Sequence, residues 1–363
     1  MYKIYLQFPW KFVDSQYYRN LINYPPDGYI FLNKIGKDKG LITNPKKFSY
    51  YVKIKEIGRK TLQKLDISFP IVKINKYNVE LIHCARCFSL RNNYIVDAEY
   101  YQSLTYDQGK ASNSKYTINI IKKILEKDNC KKILPWTYAS YYSFPKEIRE
   151  DPKIKDKFEV LYPAVPEPKI KKIKHEKLTI LFIGRYFYAK GGHYALLLFK
   201  KLKEKYDIET ILISYTIPDN LKNKYEKYGI KIYKFVSAED LYNKIYPSTD
   251  ILFYPGFSDS FGFAFIEALS YGIPIITYDN LSRKEIVENE KEGFIIENNW
   301  KNPINKIYED LLNKFYEKTI ELIENPSLLK ELSKNAYKKY KEKFSIEVRN
   351  KKLKKIYEEA IEN

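Results

Sequence analysis

Pro255-Gly256-Phe257-Ser258-Asp259-Ser260-Phe261-Gly262-Phe263-Ala264-Phe265-Ile266-Glu267-Ala268-Leu269-Ser270-Tyr271-Gly272-Ile273-Pro274 follows directly on the apolar run Ile251–Tyr254. The run has the length and composition of a buried strand, the Gly/Ser/Asp stretch reads as a loop, and residues 263–271 read as a helix. Asp259 stands at the helix entrance and Glu267 about one turn inside it. Gly262 has no Cβ, so a ligand can approach the backbone N–H groups there. An acid at a helix start is often only a cap. That bland reading covers Asp259 but not Glu267, which sits among Phe265, Ile266, Ala268 and Leu269. A buried unpaired carboxylate is costly, so Glu267 is expected to have a specific partner.

A second strand end precedes this one. Residues 178–184 form a mostly apolar strand that stops at Gly184-Arg185, and Lys190-Gly191-Gly192 leads into a helix over 193–205. The alternation is regular: strands over 209–214, 230–235, 251–254 and 274–278, and helices over 220–228, 238–246 and 263–271. Such alternation predicts a doubly wound α/β sheet. In such sheets ligands bind outside the carboxyl ends of the strands, where helix N-termini offer N–H groups and a positive dipole end to phosphate. Arg185 and Lys190 add formal charge to neutralise a diphosphate; the bland alternative is a turn with solvated cations.

With 363 residues the chain is expected to form two domains. The first half mixes strands over 3–8, 29–33, 79–83, 94–96 and 132–135 with a helix over 116–127. Residues 160–168 read as a strand running into a proline-rich stretch, and the basic run 169–177 completes the clearest linker. The expected division is an acceptor-side domain over 1–165, a donor domain over 166–345, and a helix over 346–363 that packs back on the first domain. Residues 1–165 carry 29 Lys and Arg against 16 Asp and Glu, an excess of +13, while the remainder carries +6 of the total +19. This asymmetry points to an anionic partner for the first half, whether membrane surface, acidic glycan or nucleic acid, or simply to a lysine-solvated surface. The abundant Lys and Glu also fit a heat-adapted source. No signal-peptide run and no apolar stretch of membrane-spanning length is visible. The expected location is cytoplasmic, with peripheral membrane contact through the basic first domain.

The two strand-end segments resemble the donor-domain signatures of family 4 GT-B glycosyltransferases, the retaining enzymes of glycosyl transferases group 1. The pattern stands here as Gly184-Arg185, Lys190-Gly191, Asp259 with seven residues to Glu267-Ala268, and Gly272-Ile273-Pro274. Between them, Phe235-Val236-Ser237-Ala238-Glu239-Asp240-Leu241 resembles the segment whose backbone holds the nucleotide base. Residues 285–287 and 292–295 resemble the final strand region, and Tyr162-Pro163 resembles the interdomain junction. The resemblance covers roughly residues 158–360. It implies two Rossmann-like domains with a donor cleft between them and a hexosyltransferase-type enzyme using a UDP- or GDP-sugar without cofactor or metal. The acceptor is an unidentified glycan, lipid or protein. By position, Arg185 and Lys190 would bind the diphosphate, and Val236 would meet the base. Ser260 and amides around Phe261, Gly262 and Phe263 would touch phosphate and sugar. Asp259 would contact the donor sugar and Glu267 the ribose. The chain departs from the family at Asp259, where Glu is usual, which leaves the donor sugar open.

No Asp-x-Asp metal signature is present. Asp97-x-Glu99, the nearest approach, follows the strand over 94–96 where the family often places a cleft residue, so either acid is a candidate to face the acceptor hydroxyl, against a plain surface loop. His83-Cys84-x2-Cys87 lacks a second cluster for structural zinc. Gln7-Phe8-Pro9-Trp10 replaces the family's glycine-rich N-terminal loop. Trp10, Tyr17, Tyr18, Tyr100 and Tyr101 are candidates for an acceptor groove or for core. Two competing readings are a sugar-nucleotide epimerase and a basic nucleic-acid-binding protein; the latter leaves the strand-end motifs unexplained.

Overall fold

The structure, a computed structural model, describes residues 1–9, 15–33, 57–58, 60–61, 63–64, 68–74, 76–258 and 260–362. Trp10 and Asp259 lie outside the described residues. The chain divides into two compact units, Met1–Ala164 with Ile346–Asn363, and Val165–Ser345.

In the first unit, β1 (Tyr2–Gln7), β2 (Tyr29–Phe31), β3 (Leu81–Ala85), β4 (Tyr94–Ala98) and β5 (Cys130–Pro135) form a parallel sheet in the order β2-β1-β3-β4-β5. Both β3 and β4 are buried along their whole length, as strands covered on both faces must be. The flanking helices are α1 (Gln16–Asn23), capped by Ser15, and α2 (Lys115–Leu125), capped by Ser114. The sequence reading passed over α1, because its Tyr-rich helix formers are weak and only the Ser15 cap announces it. Tyr17, Tyr18 and Tyr101 are core residues with no exposed surface, and Tyr100 is partly buried.

The second unit holds β6 (Thr179–Ile183), β7 (Glu209–Ile213), β8 (Lys231–Tyr233), β9 (Ile251–Tyr254), β10 (Ile275–Tyr278) and β11 (Gly293–Ile296), all parallel. Their order, β8-β7-β6-β9-β10-β11, is that of a Rossmann sheet. Helices α3 (Gly192–Lys203), α4 (Asp219–Glu226), α5 (Phe263–Ser270), α6 (Glu309–Glu324) and α7 (Pro326–Lys339) accompany it. Asn325 accepts from Leu328 N to start α7, and Pro326 takes the first helical position, where its missing N–H costs nothing. Residues 160–164, read above as a strand, form none. Pro163 has no N–H to give a ladder, and only an isolated bridge joins Val165 to Ser345.

The last helix, α8 (Ile346–Glu362), belongs to the first unit and buries Leu353, Ile356, Tyr357 and Ala360. Tyr357 Oη lies 2.8 Å from His83 Nδ1, His83 Nε2 lies 3.1 Å from Asp97, and the Tyr18 hydroxyl donates to the other Asp97 oxygen at 2.6 Å. Burial and the nearby Asp97 charge hold both tyrosines well above the usual phenol range, so both stay protonated. Cys87 donates to the Gln7 carbonyl, and burial pushes the Cys84 thiol up, so this corner is a hydrogen-bonded core and not a thiolate site. Replacing Tyr357 by Phe removes one buried hydrogen bond and should cost about 1–3 kcal/mol in chemical denaturation.

Within the second unit, Asp250 ties the basic segment before β6 to the sheet. Its carboxylate takes Lys172 at 3.0 Å, His175 and the Thr179 N–H. Burial works against charge on His175, but Asp250 and the Ile173 carbonyl outweigh it and raise its pKa. This contact therefore stabilises fully below the ordinary histidine pKa of about 6.5 and fades as pH rises through the raised value. Thermal melting against pH should show that loss in the native chain and a flatter profile in His175→Gln.

Candidate functional site

The strand order of the second unit reverses between β6 and β9, which pair through Ile180 with Ile251 and Leu181 with Leu252. This is the topological switch point at which open α/β sheets bind ligands. Both sequence motifs leave the sheet here, one from each strand.

Gly184 continues β6 and donates to the Ile213 carbonyl. A Cβ on it would stand 2.7 Å from Lys190 Cβ, so only glycine lets the loop fold back with Lys190 over the strand end. Arg185 is exposed, and its carbonyl accepts from Thr216 N and Oγ1. Thr216 Oγ1 also accepts from Phe187 N, which fixes the loop ahead of α3. The N-terminus of α3 is capped by Gly191 at φ +85° with no side chain.

The second loop is knitted to the first. Gly256 N donates to Lys190 O at 3.1 Å, Ser258 N donates to Ala189 O at 3.0 Å, and Lys190 Nζ donates to Ser258 O at 2.7 Å. Gly262, at φ +78°, caps α5 and offers no side chain to its N-terminus. Phe261 is buried, while Ser260, Gly262 and Phe263 are partly exposed.

Three residues that the sequence reading missed hold this loop from beneath. Asn280 donates to Phe257 O at 2.7 Å and Ser282 to Ser260 O at 2.6 Å. Arg283, with no exposed surface, donates to Phe261 O at 3.1 Å and Gly256 O at 3.2 Å, and lies over the Phe265 ring at 4.3 Å. The signal for Arg283 is weak, because an Arg at the start of a short helix ordinarily reads as solvated. Gly256 is required beneath it: φ is +62°, and a Cβ would come within 2.7 Å of the guanidinium.

Glu267 lies on α5 and is buried, and its expected partners are two tyrosines. Tyr242 donates to Oε1 at 2.6 Å and Tyr246 to Oε2 at 2.8 Å. Both come from the segment that follows Val236. Val236 itself is partly buried, and Ser237 caps the next turn by accepting from Asp240 N at 2.9 Å. The structure thus joins the 184–192 and 255–263 loops, and separately links Glu267 to the segment after Val236. Asp97 and Glu99 belong to the first unit. Asp97 lies within β4 rather than in a loop after it, both oxygens are engaged, and Glu99 pairs with Arg86 at 3.4 Å. Among the described residues no group of three His, Cys, Asp or Glu side chains could hold a metal ion.

A two-unit chain of parallel α/β sheets with this switch point has the GT-B fold. Residues 166–339 match the family model described as "Glycosyl transferases group 1". The chain is similar to an uncharacterized 41.2 kDa protein in the cps region of Klebsiella pneumoniae, at 27% identity over 63% of this chain and 60% of that one. It is also similar to an uncharacterized glycosyltransferase of Haemophilus influenzae, at 28% identity over 50% of this chain and 52% of the other. The matches thus span 60% and 52% of the length of these curated relatives. Among solved structures, a glycosyltransferase from Rickettsia africae superposes with a TM-score of 0.63 at 17% identity, covering 100% of this chain and 99% of that one. Anabaena HepE in complex with UDP-glucose does so with a TM-score of 0.62 at 12% identity, covering 98% and 99%.

Replacing Arg283 by Leu leaves the Gly256 and Phe261 carbonyls buried without that donor. The expected loss is about 2–4 kcal/mol by chemical denaturation, at about 1–2 kcal/mol for each carbonyl.

Proposed function

We propose that this protein is a glycosyltransferase that moves a sugar from a nucleoside diphosphate sugar to an acceptor hydroxyl, with retention of configuration. The observation that carries the reading is the pair of interlocked loops at the switch point, with Arg185, Lys190 and the glycine-capped start of α5 on the segment that matches the group 1 model. HepE, of the same fold, was solved with UDP-glucose, which supports a nucleotide sugar as donor.

In this reading Arg185 and Lys190 neutralise the diphosphate, and the α5 N-terminus adds its amides and dipole. Ser260, Phe261, Gly262 and Phe263 face phosphate and sugar, Asp259 the sugar hydroxyls, Glu267 the ribose, and backbone around Val236 the base. The bond between the anomeric carbon and the diphosphate oxygen breaks, and the acceptor oxygen bonds to that carbon. The acceptor proton leaves with the departing phosphate. Negative charge grows on the diphosphate as a transition state of oxocarbenium character forms, and preorganised cations and amides lower its energy. No metal is assigned to this step. The basic excess of residues 1–165 suits an anionic acceptor, whether a lipid surface or an acidic glycan.

Among the described residues no helix is long and apolar enough to cross a membrane. Nothing in the fold favours an epimerase or a nucleic-acid binder.

Thermal shift against UDP, GDP and their sugars should raise the melting temperature with at least one of them. Arg185→Ala and Lys190→Ala should each reduce nucleotide release from that sugar about 100- to 1,000-fold while the far-ultraviolet circular dichroism is retained. Undiminished turnover in both variants sinks the assignment.

A further inference from the structure

The turn that delivers the two tyrosines to Glu267 is unusual. Residues Ala238–Asp240 make an α-turn, Leu241–Ile245 a π-helical turn, and Tyr246–Ser248 a 3₁₀ turn. The N–H of Tyr246 donates to Leu241 O, five residues back, so the turn holds one residue more than an α-helix. Such bulges cost regularity and gather at functional sites. Here the bulge sets the Tyr242 and Tyr246 rings in a stack, 6.0 Å apart and 26° from parallel. Tyr246 stacks in turn on Tyr271 at 5.3 Å and 19°, and the Tyr271 hydroxyl closes the slab by donating to Tyr242 O at 2.7 Å.

The two hydroxyls on Glu267 differ in setting. Tyr246 is fully buried, and its bond to Oε2 lies inside the core. Tyr242 is partly exposed, and its bond to Oε1 lies at the accessible edge of the same carboxylate. Both are O–H to carboxylate bonds, which are short and strong. Exchanging the outer one for a hydroxyl of a bound ligand conserves a charge-assisted bond while an edge side chain turns aside. Breaking the inner one would remove a charge-assisted bond from the core, which is the costlier loss.

We propose that Tyr246 is a positioning residue that holds Glu267 for a ribose, and that the Tyr242 hydroxyl occupies the place of a ribose hydroxyl and yields it when the nucleotide binds. This rests on the reading of Glu267 as the ribose partner. It adds that an internal hydroxyl competes with the nucleotide, so affinity is set by an exchange and not by a vacant acceptor.

The test is calorimetric titration of the full chain with UDP and GDP and with their 2′-deoxy and 3′-deoxy forms. Wild type should bind one ribonucleotide more tightly than one of its deoxy forms. Tyr246→Phe should weaken that ribonucleotide about 5- to 20-fold while leaving the deoxy form nearly unchanged, so that discrimination shrinks. Tyr242→Phe should tighten the ribonucleotide about 3- to 5-fold, because its competitor is gone. If Tyr246→Phe is too unstable to titrate, the edge variant Tyr242→Phe decides alone. Equal losses for ribo and deoxy ligands in Tyr246→Phe, or weaker ribonucleotide binding in Tyr242→Phe, overturn the inference while the donor reading stands. The same holds if wild type fails to discriminate ribo from deoxy. Binding of neither UDP nor GDP by wild type overturns the donor reading and this inference with it.

Discussion

Three hydrogen bonds between the loops after β6 and β9 organise the second unit's candidate site: Gly256 to Lys190, Ser258 to Ala189, and the Lys190 side chain to Ser258. They exist because neighbouring parallel strands send their following helices to opposite faces at the point where the strand order reverses. The crevice that results would expose unpaired backbone groups. Here each loop satisfies part of the other's, and Asn280, Ser282 and Arg283 satisfy carbonyls from beneath. A loop so pinned presents its remaining amides in a fixed direction, which is the condition for preorganised stabilisation of charge.

The cations around this crevice divide by burial. Arg283 is fully buried and donates from both terminal nitrogens to backbone carbonyls, so it is part of the scaffold. Arg185 is exposed and Lys190 partly so. The Lys190 ammonium donates to the Ser258 carbonyl. Burial thus separates the guanidinium that holds the loop from the two cations that keep solvent-exposed surface.

The parts of this structure that were legible in the sequence are those governed by local pattern. The reading places β9 to the residue and β6, β7 and β10 to within one, because mostly apolar runs of this length, three of them flanked by Gly or Pro, have few other conformations. The partnered state of Glu267 was legible too, since burial of an acid demands it, but which groups supply the partners was not. Tyr242 and Tyr246 are distant in sequence and reach Glu267 only through a π-turn that no periodicity announces. Arg283 escaped for the same reason: its partners lie 22 and 27 residues away. Asp97 was read as a residue after its strand because the strand pattern fades at an acid. It lies inside β4 because Tyr18 and His83, 79 and 14 residues away, make its burial tolerable.

Two acids of the first unit are taken up by its own fold. Asp97 is buried against Tyr18 and His83, and Asp107 is buried against Thr105, Ser112 and the Gly109 N–H. Asp151 holds Lys122 at 2.8 Å, and Glu359 holds Lys132 at 2.6 Å. The two buried carboxylates sit inside the fold, and their charges are screened from solvent less than they are offset by local donors. Exposed charges set the potential that an approaching molecule meets, at a range of about 8 Å in physiological salt. These two buried acids play in the first unit the part that Arg283 plays in the second. In both units, then, burial and not residue type marks the charges that the fold uses to hold its own groups in place.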